Sequence, residues 1–336
     1  MDNQLQKEAN MNFDQLAQLN AIEPSTDLAH ISVLRCLEDL DNLVHQLSLK
    51  NSKPFSIKNE MLIPTKQLYL FNTAVIKGQN TDINGWLRAI TEHTKVKNTS
   101  IYALNRIQSI LSQHQWFDLL SINQHIYKQQ IHSYLNTLWN ETRGYKSSSE
   151  VEHDNKSRDK LIKDQRTENS KIVSRLLKKH SNVQVSRLFF NLNLLGNFSN
   201  IELTQTEKII YGLKAQLISQ LQELNQGNLY CIQWRVQRTL TGFYYLNVLI
   251  YHILEYRINM PQVQNELIYR FDNAEGQTIS MNLDYNNIKT YVIGNNPYCA
   301  ISFEQWKVFF NQILYPLKYY YYQSKVISPK FNNIIY

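Results

Sequence analysis

Residues 229–254 read LYCIQWRVQRTLTGFYYLNVLIYHIL and contain two runs rich in apolar, aromatic and β-branched residues. The first run, 229–239, alternates between polar and apolar side chains, which is typical of a β-strand with one buried face. Gly242 provides a turn signal, and the run that follows it up to 254 predicts a second strand. We therefore expect an antiparallel hairpin at 229–254 that belongs to the same fold as the neighbouring segments.

Three further segments near this hairpin have clear periodicity. NVQVSRLFFNLNLLG, from 182 to 196, alternates and is rich in branched and aromatic residues, so it predicts a strand. TQTEKIIYGLKAQLISQLQEL, from 204 to 224, predicts an amphipathic helix in which Thr204 and Glu207 have the spacing of a capping box. ISFEQWKVFFNQIL, from 301 to 314, predicts another helix. This order indicates an α+β fold, with a mostly antiparallel sheet and helices on one face.

The N-terminal half of the chain is dominated by helical periodicity. Apolar residues recur at helical spacing from about 28 to 50, with Asp27 as the predicted N-cap, and similar patterns run over 65–77, 83–93, 100–113 and 115–140. The segment 143–171 mixes charges of both signs and has almost no large apolar residues, which predicts a solvated linker that continues into a basic helix. We therefore divide the chain into a helical N-terminal domain (1–142), a charged linker and basic helix (143–180), an α+β domain (181–326) and a C-terminal tail (327–336).

The charge of the chain favours a polyanionic partner such as nucleic acid. The net charge is +7 and the pI about 9.0, although many proteins carry such a charge without a ligand. Three widely spaced cysteines favour a reducing cytoplasm over a disulfide framework, and no apolar run is long enough to span a bilayer. The sequence contains no P-loop, nucleophile elbow, HExxH or dinucleotide-binding glycine motif. We therefore expect a cytoplasmic protein without a membrane partner.

The stretch ILYPLKYYYYQSK, residues 313–325, is named here the tyrosine segment and contains five tyrosines and two lysines. Tyr315 and Lys318 are three residues apart, as are Tyr322 and Lys325, so on a helix each pair would share one face. Such phenols could pack in a core or stack on nucleic-acid bases. Two of them, Tyr315 and Tyr319, could instead act as nucleophiles.

Three blocks of this sequence resemble a known superfamily. The blocks are VQVSRLFFNLNL (183–194), CIQWRVQRTLTGFYYLNVLIYH (231–252) and LYPLKYYYY (314–322). In their order and residue types they are similar to the opening strand, the hairpin and the tyrosine helix of HUH rolling-circle replication initiators and relaxases. More narrowly, they resemble inovirus-type gene-2-like replication proteins with a YagK/YfjJ-type C-terminal domain. The resemblance covers about 180–325, and the first half of the chain does not take part in it.

The resemblance implies a DNA-nicking and joining reaction. A tyrosine attacks a phosphodiester and forms a 5′-phosphotyrosine link, and free tyrosine is a weak nucleophile because its pKa is near 10. By position, Tyr315 corresponds to the nucleophile, Lys318 to the lysine that stabilises the phenolate or the phosphate, and Tyr319 to a second nucleophile.

The metal half of that site departs from the family pattern. In the resembled proteins two histidines on one strand bind Mg²⁺ or Mn²⁺, which polarises the scissile phosphate. Tyr244 and Leu246 stand at these two positions, and Gln237 stands where an acidic ligand is common. Leucine cannot ligate a metal and neutral tyrosine does so poorly, so the resemblance implies a degenerate motif with no metal ligands and weak or absent nicking.

The expected function is that of a phage or mobile-element replication protein that binds single-stranded or origin DNA, with a host replication protein as a candidate second partner. It would be a tyrosine-dependent nickase, or a protein in which that activity is reduced or lost. The alternative is a catalytically inactive interaction or regulatory protein on the same fold. The candidate nucleic-acid contacts are Arg175, Lys178, Lys179, Arg187, Arg235, Arg238, Tyr322 and Lys325. For the first three, a charged helix end without a ligand is the other interpretation.

Overall fold

The computed structural model describes residues 28–49, 55–58, 61–64, 93–98, 133, 136, 140, 148–196, 201–254, 266–270, 276–284, 288–294 and 301–336. Within these residues the α-helices are α1 (Leu28–Leu49), α2 (Ser149–His180), α3 (Leu203–Leu224) and α4 (Phe303–Leu314). The strands are β1 (Phe55–Lys58), β2 (Met61–Pro64), β3 (Thr94–Val96), β4 (Asn182–Leu195), β5 (Leu229–Arg238), β6 (Tyr244–His252), β7 (Glu266–Arg270), β8 (Thr278–Leu283), β9 (Lys289–Gly294), β10 (Tyr320–Tyr322) and β11 (Asn332–Ile335). A 3₁₀-helix, Tyr315–Lys318, follows α4.

The central strand of the main sheet is β4, which has pairing partners along both of its edges. One edge pairs with β6, which pairs with β5, and β5 pairs with β11. The other edge pairs with β9 along the N-terminal half of β4 and with β8 along its C-terminal half, and β8 pairs with β7. All of these pairs are antiparallel, so the α+β class and the antiparallel sheet are confirmed.

The hairpin predicted at 229–254 is confirmed as β5 and β6. Arg238 pairs with Tyr244 where the strands meet the turn. Gly242 has φ of +96°, a backbone conformation that glycine adopts at little cost because it has no side chain beyond Cα. The predicted strand after 181 and the helices predicted at 28–50, 204–224 and 301–314 are confirmed as β4, α1, α3 and α4.

Helices pack on both faces of the sheet, so the prediction of helices on one face is wrong. Leu188 and Phe190 of β4 belong to a core that includes α1 and α3, whereas Val183 and Val185 belong to a second core that includes α2 and α4. The physical reason lies in β6, in which all nine residues are buried. A strand that is apolar on both faces needs cover on both faces.

The segment 149–171 is helical and docked, so the prediction of a solvated linker there is wrong. α2 is one helix of 32 residues, capped by the Ser148 hydroxyl, which accepts a hydrogen bond from the Val151 amide. Its buried residues recur at helical spacing, but several are polar, so an apolar pattern does not reveal them. They are Val151, Arg158, Leu161, Gln165, Asn169, Ile172, Val173 and Leu176.

A buried polar network fixes α2 against α4 and the sheet. The Asn169 side-chain amide donates to Gln233 Oε1 at 2.8 Å and to the Tyr251 hydroxyl oxygen at 2.6 Å. In return, Trp306 Nε1 donates to Asn169 Oδ1 at 2.9 Å. Since each partner lies on a different element, the polar face of α2 has one defined position on the sheet.

Part of the predicted N-terminal organisation lies outside the described residues. This holds for Asp27, for the helical patterns at 65–77 and 100–113, and for all but the last residue of 83–93. Of the pattern at 115–140, residues 133, 136 and 140 are described, and each is helical. α1 shares the core of the sheet through Leu34, Leu37 and neighbouring residues. None of the described helices is both long and apolar enough to cross a membrane.

Candidate functional site

The tyrosine segment is not a continuous α-helix. α4 ends at Leu314, since Pro316 has no amide hydrogen to continue the helical ladder, and the next turn is 3₁₀. Tyr320–Tyr322 then forms β10, which pairs antiparallel with β3. The prediction that Tyr322 and Lys325 share a helix face is therefore wrong, because Tyr322 lies in a strand and Lys325 follows in an irregular region.

Tyr315, the predicted nucleophile, is held by a carboxylate from α1. Its hydroxyl donates a hydrogen bond to Glu38, which is 6% exposed, and lies 3.2 Å from the hydroxyl of Tyr319. Burial raises the pKa of Tyr315, and the negative charge of Glu38 raises it further because it disfavours a phenolate. Activation as a nucleophile requires the opposite shift of the pKa, so this arrangement keeps Tyr315 protonated.

The two lysines nearest to these phenols contact the ring of Tyr319. Lys318 Nζ lies 5.3 Å and Lys97 Nζ 5.7 Å from the ring centroid. Lys97 is buried and forms an ion pair with Asp41 at 2.7 Å. Burial lowers the pKa of Lys97, and Asp41 partly offsets this shift. Tyr319 is fully buried, and burial raises its pKa as well, so it too is a packed phenol in this structure.

Glu207 attaches the end of the tyrosine segment to the hairpin. This carboxylate is 1% exposed and accepts hydrogen bonds from the hydroxyls of Tyr244 at 3.4 Å, Tyr322 at 2.6 Å and Ser324. The predicted capping box is therefore wrong: the N-cap of α3 is Glu202, and Glu207 points into the core. The sequence signal that would have revealed this site is a carboxylate, Glu207, on the apolar face of the amphipathic helix α3.

Arg238 makes a second connection between the tyrosine segment and the hairpin. Its guanidinium carbon lies 5.2 Å from the ring centroids of both Tyr244 and Tyr322. The hydroxyl of Tyr320 donates to the Arg238 carbonyl oxygen at 2.6 Å. The segment therefore contacts the β5–β6 hairpin through Tyr320 and Tyr322, whereas Tyr315 bonds to Glu38 of α1.

The three predicted metal-motif positions do not converge. Tyr244 and Leu246 are buried and belong to the core shared with α3. Gln237 pairs with Tyr245 in the register, so it lies on the opposite face of the sheet. A buried phenol, an isobutyl group and an amide on the other face do not fit a divalent cation. Among the described residues, no group of three or more histidine, cysteine, aspartate or glutamate side chains could hold a metal ion.

Several predicted nucleic-acid contacts are buried, which overturns that role for them. Arg187 and Arg235 are each 1% exposed, because strand alternation points them into the core beneath α2 and α4. Arg187 Nε donates to Asn247 Oδ1 at 3.5 Å, and an Arg235 Nη2 group donates to the Ile313 carbonyl oxygen at 3.4 Å. Tyr322 is 4% exposed and cannot stack on a base, and Arg238 is half-buried against the two tyrosine rings.

The remaining predicted contacts are exposed. Arg175, Lys178 and Lys179 lie on the last turns of α2, and Lys325 is the last residue of the tyrosine segment. Arg175 and Lys178 line a groove of about 1030 Å³ between α2 and α4, which we call the basic groove. Its residues are Asp159, Ile162, Lys163, Arg166, Thr167, Ser170, Lys171, Ser174, Arg175, Lys178, Phe303 and Lys307. Sequence reasoning missed Lys163, Arg166 and Lys171 because this part of α2 was assigned to a linker. It missed Lys307 of α4 because no local pattern places α4 beside α2.

Comparison with known proteins identifies no relative of this chain. No protein-family model matches it, and neither a curated protein nor a solved structure does. Three features of the molecule itself bear on its function: the sheet topology, the attached tyrosine segment and the exposed cations of α2.

Proposed function

We propose that this chain is a nucleic-acid-binding protein on a replication-initiator-like sheet, and that it binds DNA without tyrosine-dependent nicking. The observation that carries the binding proposal is the distribution of charge on α2. After Glu168 the helix has no carboxylate, and its exposed charged residues Lys171, Arg175, Lys178 and Lys179 are all cations. Exposed cations of this kind bind phosphate groups with release of counterions.

The initiator-like part of the proposal is supported by topology. β4 lies beside β6, the hairpin β5–β6 follows α3, and the tyrosine segment follows α4 and packs on that hairpin. The chain order of strand, hairpin and tyrosine segment is the order of the three blocks that carry the resemblance. The absence of nicking is supported by the hydrogen bond from Tyr315 to Glu38 and by the residues at the metal-motif positions, which do not fit Mg²⁺ or Mn²⁺.

Binding can be tested with a fluorescent oligonucleotide. The fluorescence anisotropy of a labelled single-stranded DNA is measured against protein concentration at several salt concentrations. We expect the logarithm of the association constant to fall linearly with the logarithm of salt concentration, because cations displace bound counterions. Affinity that does not change with salt, or no binding at low salt, would contradict the proposal.

The nickase is the second candidate function, and the same protein sample tests it. Incubation with a supercoiled origin-bearing plasmid, with Mg²⁺ or Mn²⁺, should give neither relaxed circles nor protein attached to a 5′ end. A covalent adduct that disappears in Tyr315→Phe would show that the phenol leaves Glu38 and reacts. The third candidate, an interaction or regulatory protein, is favoured if wild-type protein binds no oligonucleotide at any salt concentration.

A further inference from the structure

We propose that the basic groove is a track for the sugar–phosphate backbone of single-stranded nucleic acid, on the sheet face opposite to the α1 and α3 layer. This inference rests on the proposed function and adds to it the site and the form of the ligand. Most of the groove's lining comes from α2, which precedes the region of the chain that resembles initiators; Phe303 and Lys307 of α4 complete it.

The first observation is an excess of positive charge. The groove lining contains one carboxylate, Asp159, and six cations. The cations are Lys163, Arg166, Lys171, Arg175, Lys178 and Lys307. Five of these lining cations lie on α2, and within the described part of the chain none of the five forms an ion pair. Lys307, on α4, contacts Glu304 at 2.6 Å. A cleft lined by one sign of charge concentrates ligands of the other sign.

The second observation is the length and spacing of the site. From Asp159 to Lys178 the groove follows α2 for roughly 28 Å, at about 1.5 Å of rise per residue. Its α2 cations are three to five residues apart, which corresponds to about 4.5 to 7.5 Å along the axis. Repeated cations at this interval fit a chain of phosphates better than they fit one isolated anion.

The third observation is the chemistry between the cations. Thr167, Ser170 and Ser174 place hydroxyl groups in the groove, and hydroxyls donate hydrogen bonds to phosphate oxygens. On the α4 side, the partly buried ring of Phe303 adds an aromatic surface, with Lys307 Nζ 4.3 Å from its centroid. Cations along a groove combined with an aromatic contact are typical of sites for single strands, whose bases can turn towards the protein.

The test compares two triple variants with the same change in net charge. The groove variant is Lys171→Glu/Arg175→Glu/Lys178→Glu, and the matched control reverses two lysines and one arginine that are exposed outside the groove, Lys208→Glu/Arg270→Glu/Lys330→Glu. We measure the Kd of a labelled oligothymidine by anisotropy over a range of salt concentrations, and the thermal unfolding of both variants by circular dichroism.

We expect the groove variant to bind about 100-fold more weakly, and the slope of log affinity against log salt to fall in magnitude by about 2, because three phosphate contacts are lost. The control should change Kd only a few-fold. A neutral variant, Lys171→Ala/Arg175→Ala/Lys178→Ala, should show a smaller loss in the same direction and keeps the test valid if charge reversal perturbs folding.

Two results would overturn the inference while leaving the proposed function intact. Equal weakening by the groove variant and the control would show that only net charge matters. Tighter binding of a duplex than of the single strand, with the same dependence on the groove, would show that the ligand form is wrong. If wild-type protein binds no oligonucleotide, the proposed function itself fails.

Discussion

The tyrosine segment and α2 bury different kinds of side chain and expose different kinds. In the tyrosine segment, Tyr319, Tyr320 and Tyr322 are at most 5% exposed, whereas α2 presents most of its charged side chains to solvent. The two regions touch, since Arg158 of α2 donates to the Leu317 carbonyl oxygen at 3.3 Å and lies 4.9 Å from the ring centroid of Tyr321. The comparison teaches that a cluster of phenols can form part of the core, while a docked helix of mixed charge keeps most of its charged side chains at the surface.

The two regions differ in burial because their polar groups have different hydrogen-bond partners. The phenols of the tyrosine segment bond to Glu38, Glu207 and the carbonyl oxygen of Arg238, which come from three other elements. α2 is anchored by apolar residues of the second core and by the hydrogen bonds of Asn169, and its other face is exposed. Buried polar groups require such partners, because an unsatisfied one costs about 1 to 3 kcal/mol.

The largest expected effect is alkaline unfolding driven by the buried phenols. Burial raises the pKa of Tyr322 to about 12, and its hydrogen bond to Glu207 contributes to the shift. Burial also raises the pKa of Tyr244, Tyr315 and Tyr319. An unfolded phenol ionises near pH 10, so the stabilisation is complete below pH 10 and is lost as pH rises through about 12. The last phase of phenolate absorbance and the loss of circular dichroism should fall in the same pH range, because the buried phenols ionise only as the protein unfolds. Ionisation of all the phenols while circular dichroism is unchanged would show that the segment is not buried.

Glu207→Ala should give the largest effect of a single substitution. Three hydroxyl groups lose their shared acceptor, so we expect the free energy of unfolding to fall by about 3 to 5 kcal/mol, measured by urea denaturation. The matched control is Glu202→Ala on the same helix, where the carboxylate is exposed and makes no capping hydrogen bond. A cost below about 1 kcal/mol for Glu207→Ala would mean that the segment is not attached through this carboxylate.

Asn169→Ala tests the docking of α2 and should have the next largest effect. Loss of its hydrogen bonds with Gln233, Tyr251 and Trp306 should lower the free energy of unfolding by about 2 to 4 kcal/mol. Lys160→Ala, an exposed position on the same helix, serves as the control and should change stability by less than about 0.5 kcal/mol. If both variants are equally stable, α2 behaves as the solvated segment that composition suggested.

Tyr315→Phe should have the smallest effect of the set. It removes one hydrogen bond to Glu38, which should cost about 1 kcal/mol in urea denaturation, because the ring itself still packs. The affinity for single-stranded DNA should stay the same, since Tyr315 packs against the core that includes α1 and α3 and does not line the basic groove. A marked loss of DNA affinity with unchanged stability would transfer the binding site to the tyrosine segment.

Local patterns predicted much of the fold but little of the site. Alternation and helical spacing identify β4, β5, β6, α1, α3 and α4, because each of these elements has a regular apolar face. The register of β4 with three other strands and the pairing of β10 with β3 join segments far apart in the sequence, so no local pattern contains them. The same holds for Glu38 and Tyr315, which are 277 residues apart.

The sequence by itself determined the hairpin, its neighbouring helices and an excess of positive charge, since these depend on residue types and on spacing within one element. Only the tertiary structure decided which cations remain at the surface. Arg187 and Arg235 alternate into the core of the sheet, while Lys171, Arg175 and Lys178 remain outside because the opposite face of α2 packs against the sheet and α4. Exposure is a property of how elements pack, and the charge of a residue alone does not predict it.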